Sequence, residues 1–328
     1  MNGRRLTHDV VICTRNRPDD LRDCLASLAL QTCRADAVRI VDASEPDDAA
    51  RVRALAADHA DLAVVLVTAP PSTSAQRNLG VSASTADVIH FLDDDTVLEA
   101  DYLASILDRF EADPQPLGSP TALLGVGGQP TNLPSPAKGG LRARLFPRSI
   151  HPGAVLPSGR GVLAAGLVQP TEVDWLSGCA MSFRRAAIAA EPFDEGQEGY
   201  VLGEDLDASY RIRQHGRLVV EPAARLEHRE SPRNRWARRR WAEADVINRR
   251  RRVASGTGAY AVRAFWTDGL AQLALWSVRA CRPGAHEARA MAAGIAAGLR
   301  AARRPVGATA APGPWPPSGS PVGEAPPG

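Results

Sequence analysis

Three consecutive carboxylates, Asp93, Asp94 and Asp95, follow the apolar run Val88, Ile89, His90, Phe91, Leu92. Like charges this close repel, and ionised carboxylates resist leaving water. Such a run either forms a polar turn, with Asp95 or Thr96 capping the next helix, or holds a cation. Hard divalent cations take carboxylate oxygens and commonly bind together with phosphates. A second acidic group, Glu204, Asp205 and Asp207, opens the helical pattern "GEDLDASYRIRQHG". Acids there suit the positive end of a helix dipole, and Arg211 is spaced to pair with Asp207. A carboxylate at a helix start that faces a crevice can also serve as a general base toward a hydroxyl. His228, in "ARLEHRESP", is an ordinary solvated histidine when alone and a candidate ligand beside a carboxylate-held cation.

The elements around these residues alternate. "DVVICT" is a short β-branched run, and Pro18 then opens a helix with Leu21, Cys24, Leu25 and Leu28 on one face. "AVRIVDAS", "LAVVLVTA" and "ADVIHFL" read as further strands, separated by the helical "EPDDAARVRALAADH" and "SAQRNLGVSAST"; "LEADYLASILDRFEAD" is a helix after the aspartates. Continuous apolar strands alternating with helices imply a mostly parallel sheet covered on both faces. Ligands bind such sheets beyond the carboxyl ends of the strands, where Thr14, Asp42 and Asp93–Asp95 all fall. Beyond the Gly- and Pro-rich stretch 113–170, "EVDWLSGCAMSFRRAAI" predicts a strand and a helix, and "RLVVEP" one more strand.

The 328-residue chain carries a net charge of only +2, so bulk charge does not point to nucleic acid or membrane. The charge is uneven: ten arginines and three acids fall between Arg229 and Arg252. The five cysteines form no CxxC pair and no zinc spacing, which fits a reducing cytoplasm. No signal peptide and no apolar stretch of about 18 residues is evident, so no transmembrane helix is expected. From Pro305 onward 13 of 24 residues are Gly or Pro, the composition of a disordered tail.

Four blocks, in order, resemble the inverting, nucleotide-sugar-dependent glycosyltransferases of family 2, with the GT-A fold. They are "VVICTRNRPDDLRDCLASLALQT", "VRIVDAS", "SAQRNLGVSASTADVIHFLDDD" and "WLSGCAMSFRRAAI" with its downstream "GEDLDASYRIRQHG". The resemblance covers roughly residues 8 to 230. It implies an α/β, GT-A fold, with a mostly parallel, Rossmann-like sheet flanked by helices and a helical C-terminal appendage. The implied division is a catalytic domain over 1–230 (nucleotide-sugar half about 1–112, acceptor half about 113–230), an Arg-rich helical region over 231–304 and a tail over 305–328. The implied chemistry is transfer of a sugar, of hexosyl or deoxyhexosyl type, with inversion. The donor is a nucleoside-diphosphate sugar and the acceptor a hydroxyl of a glycan, lipid-linked or small molecule. The resemblance assigns Thr14, Asn16, Asp42, Arg77, Asn78, Asp93 and Asp94 to the donor, and Asp93, Asp95 and His228 to Mg²⁺ or Mn²⁺. It makes Asp205 the general base and sets Trp175, Ser177, Gly178 and Glu204 on the acceptor side. Ala43 stands where many members carry a second polar residue, so the nucleotide base is not specified.

The stretch "HRESPRNRWARRRWAEADVINRRRRV" interleaves arginines with Trp236 and Trp241. It reads as a solvated helix whose tryptophans pack on the main domain, as a peripheral helix at the inner face of the plasma membrane, or as a nucleic-acid contact. The family resemblance favours membrane over nucleic acid. Two other functions compete with glycosyl transfer. A nucleotidyltransferase would need a Gly-rich loop after the first strand, where this chain has "TRNRPDD". A non-catalytic binding protein built on the Arg-rich helix would leave Asp93–Asp95, Asp205 and His228 without a purpose.

Overall fold

The computed structural model describes residues 5–113, 115–133, 151–196, 202–233, 236–256 and 260–304; the expected tail over 305–328 lies outside them. The first hundred residues build β1 (His8–Thr14), α1 (Pro18–Ala29), β2 (Ala37–Asp42), α2 (Pro46–Asp58), β3 (Val64–Thr68), α3 (Thr73–Ser82) and β4 (Val88–Asp93). Pro18 and Pro46 occupy the first turns of their helices, where a missing N–H costs nothing. Strands β3, β2, β1 and β4 lie side by side, all parallel. The side-chain period of two splits β1 between faces. Val10 and Ile12 join one core with Leu21, Leu25 and Phe110, while Val11 joins the other with Ile89, Phe91 and Phe183. Gly80 lets α3 lie close on β1: a Cβ there would stand 2.4 Å from Val11 Cγ1.

The second half of the sheet is mixed. After α4 (Tyr102–Glu111) come β6 (Leu123–Pro130), β8 (Ala180–Arg184), α5 (Arg185–Ala190), α6 (Glu204–Arg213) and β9 (Arg217–His228). Strand β8 runs antiparallel to both β4 and β6, and β9 runs parallel to β6. Two short strands escape the sequence pattern, β5 (Thr96–Leu98) and β7 (Thr171–Val173), both antiparallel to β9. They correct two expectations. Thr96 opens a strand and caps no helix. The last strand extends six residues beyond "RLVVEP", so His228 ends it, paired with Thr96.

Three helices follow: α7 (Arg238–Ala254), α8 (Val262–Ala280) and α9 (His286–Ala301). They share a core of Val246, Val253, Phe265, Ile295 and Leu299. Small residues bring α9 against α7: a Cβ on Gly294 would stand 2.1 Å from the Arg239 carbonyl oxygen, and one on Gly298 would stand 2.6 Å from Val246 Cβ. The solvated reading of the arginine run fails at its C-terminal end, where Arg249 and Arg252 are 2% and 5% exposed. Arg249 pairs with Asp268 of α8, and Arg252 donates to the carbonyls of Leu202 and Gly159. Among the described residues no helix is long and apolar enough to cross a membrane.

Candidate active site

The carboxyl ends of β1 and β4, the start of α3 and the start of α6 enclose a crevice of about 320 Å³. Thr14, Arg77, Asp93, Asp94, Gly178, Glu204, Asp205 and His228 line it, so most of the expected site residues converge. The aspartates form the link from β4 to β5, and each has a different environment. Asp94 is buried and accepts from Thr14 Oγ1 at 2.8 Å and Arg17 Nη1 at 3.1 Å. Burial pushes its carboxyl up to about 7, against the pull of Arg17. Asp95 accepts from the Ser231 N–H at 2.8 Å and faces His228 Nε2 at 3.2 Å. Burial would raise its carboxyl, but His228, the Ser231 N–H and Arg17 outweigh it and hold it at about 2. Against its burial, the hydrogen bond to Asp95, the neighbouring Cys179 and the charge of Asp93 drive the His228 imidazole up to about 11.

Asp93, Asp95 and His228 present ligand atoms within 4.8 Å of one another. Two carboxylates and an imidazole form a donor set suited to a first-row divalent ion. Asp95 Oδ1 is buried without a well-aligned hydrogen bond, and a cation would satisfy it. The residues therefore fit a metal.

Arg77 joins the two acidic groups. It is 4% exposed and donates to Glu204 Oε1 at 2.6 Å, to Asp93 Oδ1 at 3.3 Å and to the Gly178 carbonyl at 3.3 Å. Asp205, next to Glu204, accepts from the Gly178 N–H at 2.8 Å and from the Leu206 N–H at 2.7 Å. Burial raises its proton affinity, while Arg77 and the two N–H groups temper the rise. A carboxylate with raised proton affinity is a better base than a solvated one. Burial also pushes the Cys13 and Cys24 thiols up to about 12, which leaves them protonated and poor nucleophiles.

Four expected residues sit elsewhere. Asn16, with a left-handed φ of 54°, accepts from the Glu45 N–H and ties the β1 loop to the β2 loop. Asp42 ends β2 beside Thr14, but it is buried and accepts from the Ser44 N–H. The Asn78 side chain donates to the Phe193 carbonyl and to Glu195, away from the crevice. Trp175 lines a neighbouring cavity, with its Nε1 donating to the Val162 carbonyl at 3.1 Å.

Sequence reasoning passed over Arg17. It pairs with Asp94 and reaches the Arg233 carbonyl, binding the segment after β9 to the aspartates. The available signal was a basic side chain in the loop after the first strand. Gln76 was missed as well; its amide donates to the Val41 carbonyl at 2.7 Å and the Thr14 carbonyl at 3.3 Å, closing the strand ends beneath the crevice.

Residues 9–129 match the family model described as Glycosyl transferase family 2. Over that stretch the chain is similar to family 2 of the glycosyltransferases, a likeness that covers less than half of its length. Among solved structures it is similar to "Mannosyltransferase PcManGT from Pyrobaculum calidifontis in complex with GDP-Man and Mn2+". Identity is 17% and the TM-score 0.53, with 92% of this chain and 88% of that chain covered. At that identity the likeness carries the GT-A fold. No curated protein matches the chain.

Proposed function

We propose that the chain is a metal-dependent, inverting glycosyltransferase that moves a sugar of hexosyl or deoxyhexosyl type from a nucleoside-diphosphate donor to an acceptor hydroxyl. The observation that carries this reading is the shared crevice. The Asp93, Asp95 and His228 group stands on one side, Asp205 on the other, and Arg77 between them. Asp93, Asp95 and His228 would hold Mg²⁺ or Mn²⁺, which when bound supplies the Lewis acidity that neutralises a diphosphate leaving group. The similar mannosyltransferase is named with GDP-Man and Mn²⁺, which supports this class of donor and metal.

The chain's own residues supply the rest. Arg77 and Arg17 place two fixed guanidinium groups on the acidic side of the crevice, next to where diphosphate charge would lie. Asp205 takes the proton of the attacking hydroxyl at its crevice-facing carboxylate. Attack from the face opposite the leaving group gives inversion in one displacement, with no covalent enzyme intermediate. Residues 1–230 form the catalytic unit in this reading, and 231–304 form an appendage packed beside the base. All five cysteines are free, which supports a cytoplasmic location.

Calorimetric titration of UDP, GDP and TDP with and without Mn²⁺, on wild type and Asp95→Ala, tests the donor site. The expected result is metal-dependent binding of one nucleotide, lost in the variant. Absence of binding by any nucleoside diphosphate would overturn the reading.

A further inference from the structure

A second cavity, of about 400 Å³, lies between α7–α9 and the loop that precedes α6. It shares Gly203 and Asp205 with the donor crevice, so the two cavities meet at the proposed base. Its outer wall comes from Trp241, Trp276, Met291 and Ile295, and its inner wall includes Trp175. The outer wall lies beyond the 9–129 family match and belongs to the C-terminal region of this chain. We infer that this cavity receives the acceptor, and that the acceptor is uncharged, with its hydroxyl carried on a flat, apolar-faced body such as a sugar ring or an aryl group. The inference rests on the glycosyltransferase reading for the role of Asp205 and goes beyond it in naming the acceptor class.

Two features argue for the class. Three indoles on one cavity offer flat apolar faces with a polar edge, the surface that suits rings with one greasy side. One of them, Trp175, is fixed by its Nε1 bond to the Val162 carbonyl. Around the cavity three arginines, Arg160, Arg249 and Arg252, balance three carboxylates, Asp205, Asp245 and Asp268, so no net positive charge is left for an anion. Arg160 and Arg249 both pair with Asp268, and Arg252 is spent on backbone carbonyls. The remaining charged side chains of the lining, Asp205 and Asp245, are carboxylates that would repel a phosphate. Arg249 Nε and Arg252 Nε are buried without a hydrogen-bond partner among the described residues, and neutral hydroxyl or ether oxygens could accept from them.

The test uses the full chain and two phenyl-bearing probes, the neutral phenyl β-glucoside and the anionic phenyl phosphate. Each is titrated calorimetrically with and without the nucleotide and Mg²⁺. The glucoside should bind and the phosphate should bind more weakly. Trp276→Ala should weaken the glucoside about tenfold, the loss of one aromatic contact, with Trp276→Phe recovering most of it. Because Trp276 also packs against the bundle core, Met291→Trp fills the cavity without removing a wall. It should abolish glucoside binding while nucleotide binding persists. Unchanged glucoside affinity in both Trp276→Ala and Met291→Trp, tighter binding of phenyl phosphate, or no glucoside binding to the nucleotide-loaded chain would overturn the inference. Glucoside binding with no nucleotide binding would instead overturn the donor reading and leave the cavity as a glycoside site.

Discussion

At the scale of single residues, the site is two acidic groups kept apart and oriented by one buried arginine. Asp205→Asn keeps the shape and removes the proposed proton acceptor, so kcat should fall about 10²- to 10⁴-fold. Calorimetry should find donor binding retained, and an unchanged kcat would remove Asp205 from the role of base. Arg77→Met has a different signature. It strips the guanidinium from buried Glu204 and from Asp93, and breaking a buried pair by removing one partner costs about 3–5 kcal/mol. Urea denaturation should report that loss, and a variant as stable as wild type would show that Glu204 needs no countercharge. The acids themselves were legible in the sequence, because carboxylates after an apolar run and at a helix start have few uses. Arg17, Asn78 and Trp175 were not legible in the same way. Whether Arg17 meets Asp94 depends on β1 lying beside β4, a pairing across some eighty positions that no local pattern encodes.

Secondary elements were legible where a period was long and clean. The first four strands and their helices follow the alternation of apolar runs and helical stripes closely. The short β5 and β7 escaped because each has three residues and exists only through β9. The arginine run misled for a related reason. Its burial at Arg249 and Arg252 depends on α8 and on the loop at Gly203, partners remote in sequence. Two predictions belong to this scale. Asp268→Ala leaves Arg249 buried without its carboxylate, and thermal denaturation should show a loss of about 3 kcal/mol. Gly80→Ala gains about 1 kcal/mol of helix propensity. It also drives a methyl into Val11, a core side chain 1% exposed, and overpacking costs about 1–3 kcal/mol. The net effect should be destabilising and should be relieved by adding Val11→Ala; a stabilised single variant would mean that α3 moves freely on the sheet.

Across the whole molecule, a histidine pair buried within the sheet couples folding to pH. His8 Nδ1 lies 3.1 Å from His90 Nε2, His90 Nδ1 lies 2.8 Å from Ser182 Oγ, and both rings are fully buried. They tie β1, β4 and β8 together across the sheet. Burial lowers the proton affinity of both, well below the ordinary value for His90, although Asp36 and Asp9 act the other way on His8. Above pH 6.5, the unfolded value, neither state binds a proton and the full stability is present. Below it the unfolded chain takes up protons that the folded chain refuses. Stability therefore falls with pH, by up to about 1.4 kcal/mol per pH unit for each histidine. His90→Gln should flatten the dependence of Tm between pH 6.5 and about 5 relative to wild type; an unchanged slope would show that the pair does not contribute.

Strand β9 has one more consequence. The helix before it, α6, begins at Glu204 beside the proposed base Asp205, and the strand itself ends at His228 of the proposed cation group. Hydrogen bonds to β5, β6 and β7 fix its register. A one-residue change in its length would turn His228 to the opposite face, and only a two-residue change, about 6.6 Å, would restore the facing. The span between the proposed base and the proposed cation group is thus quantised. Divergence in a lineage built on this strand can recut the walls of its two cavities, but it cannot adjust the reach between the two chemical poles by small degrees.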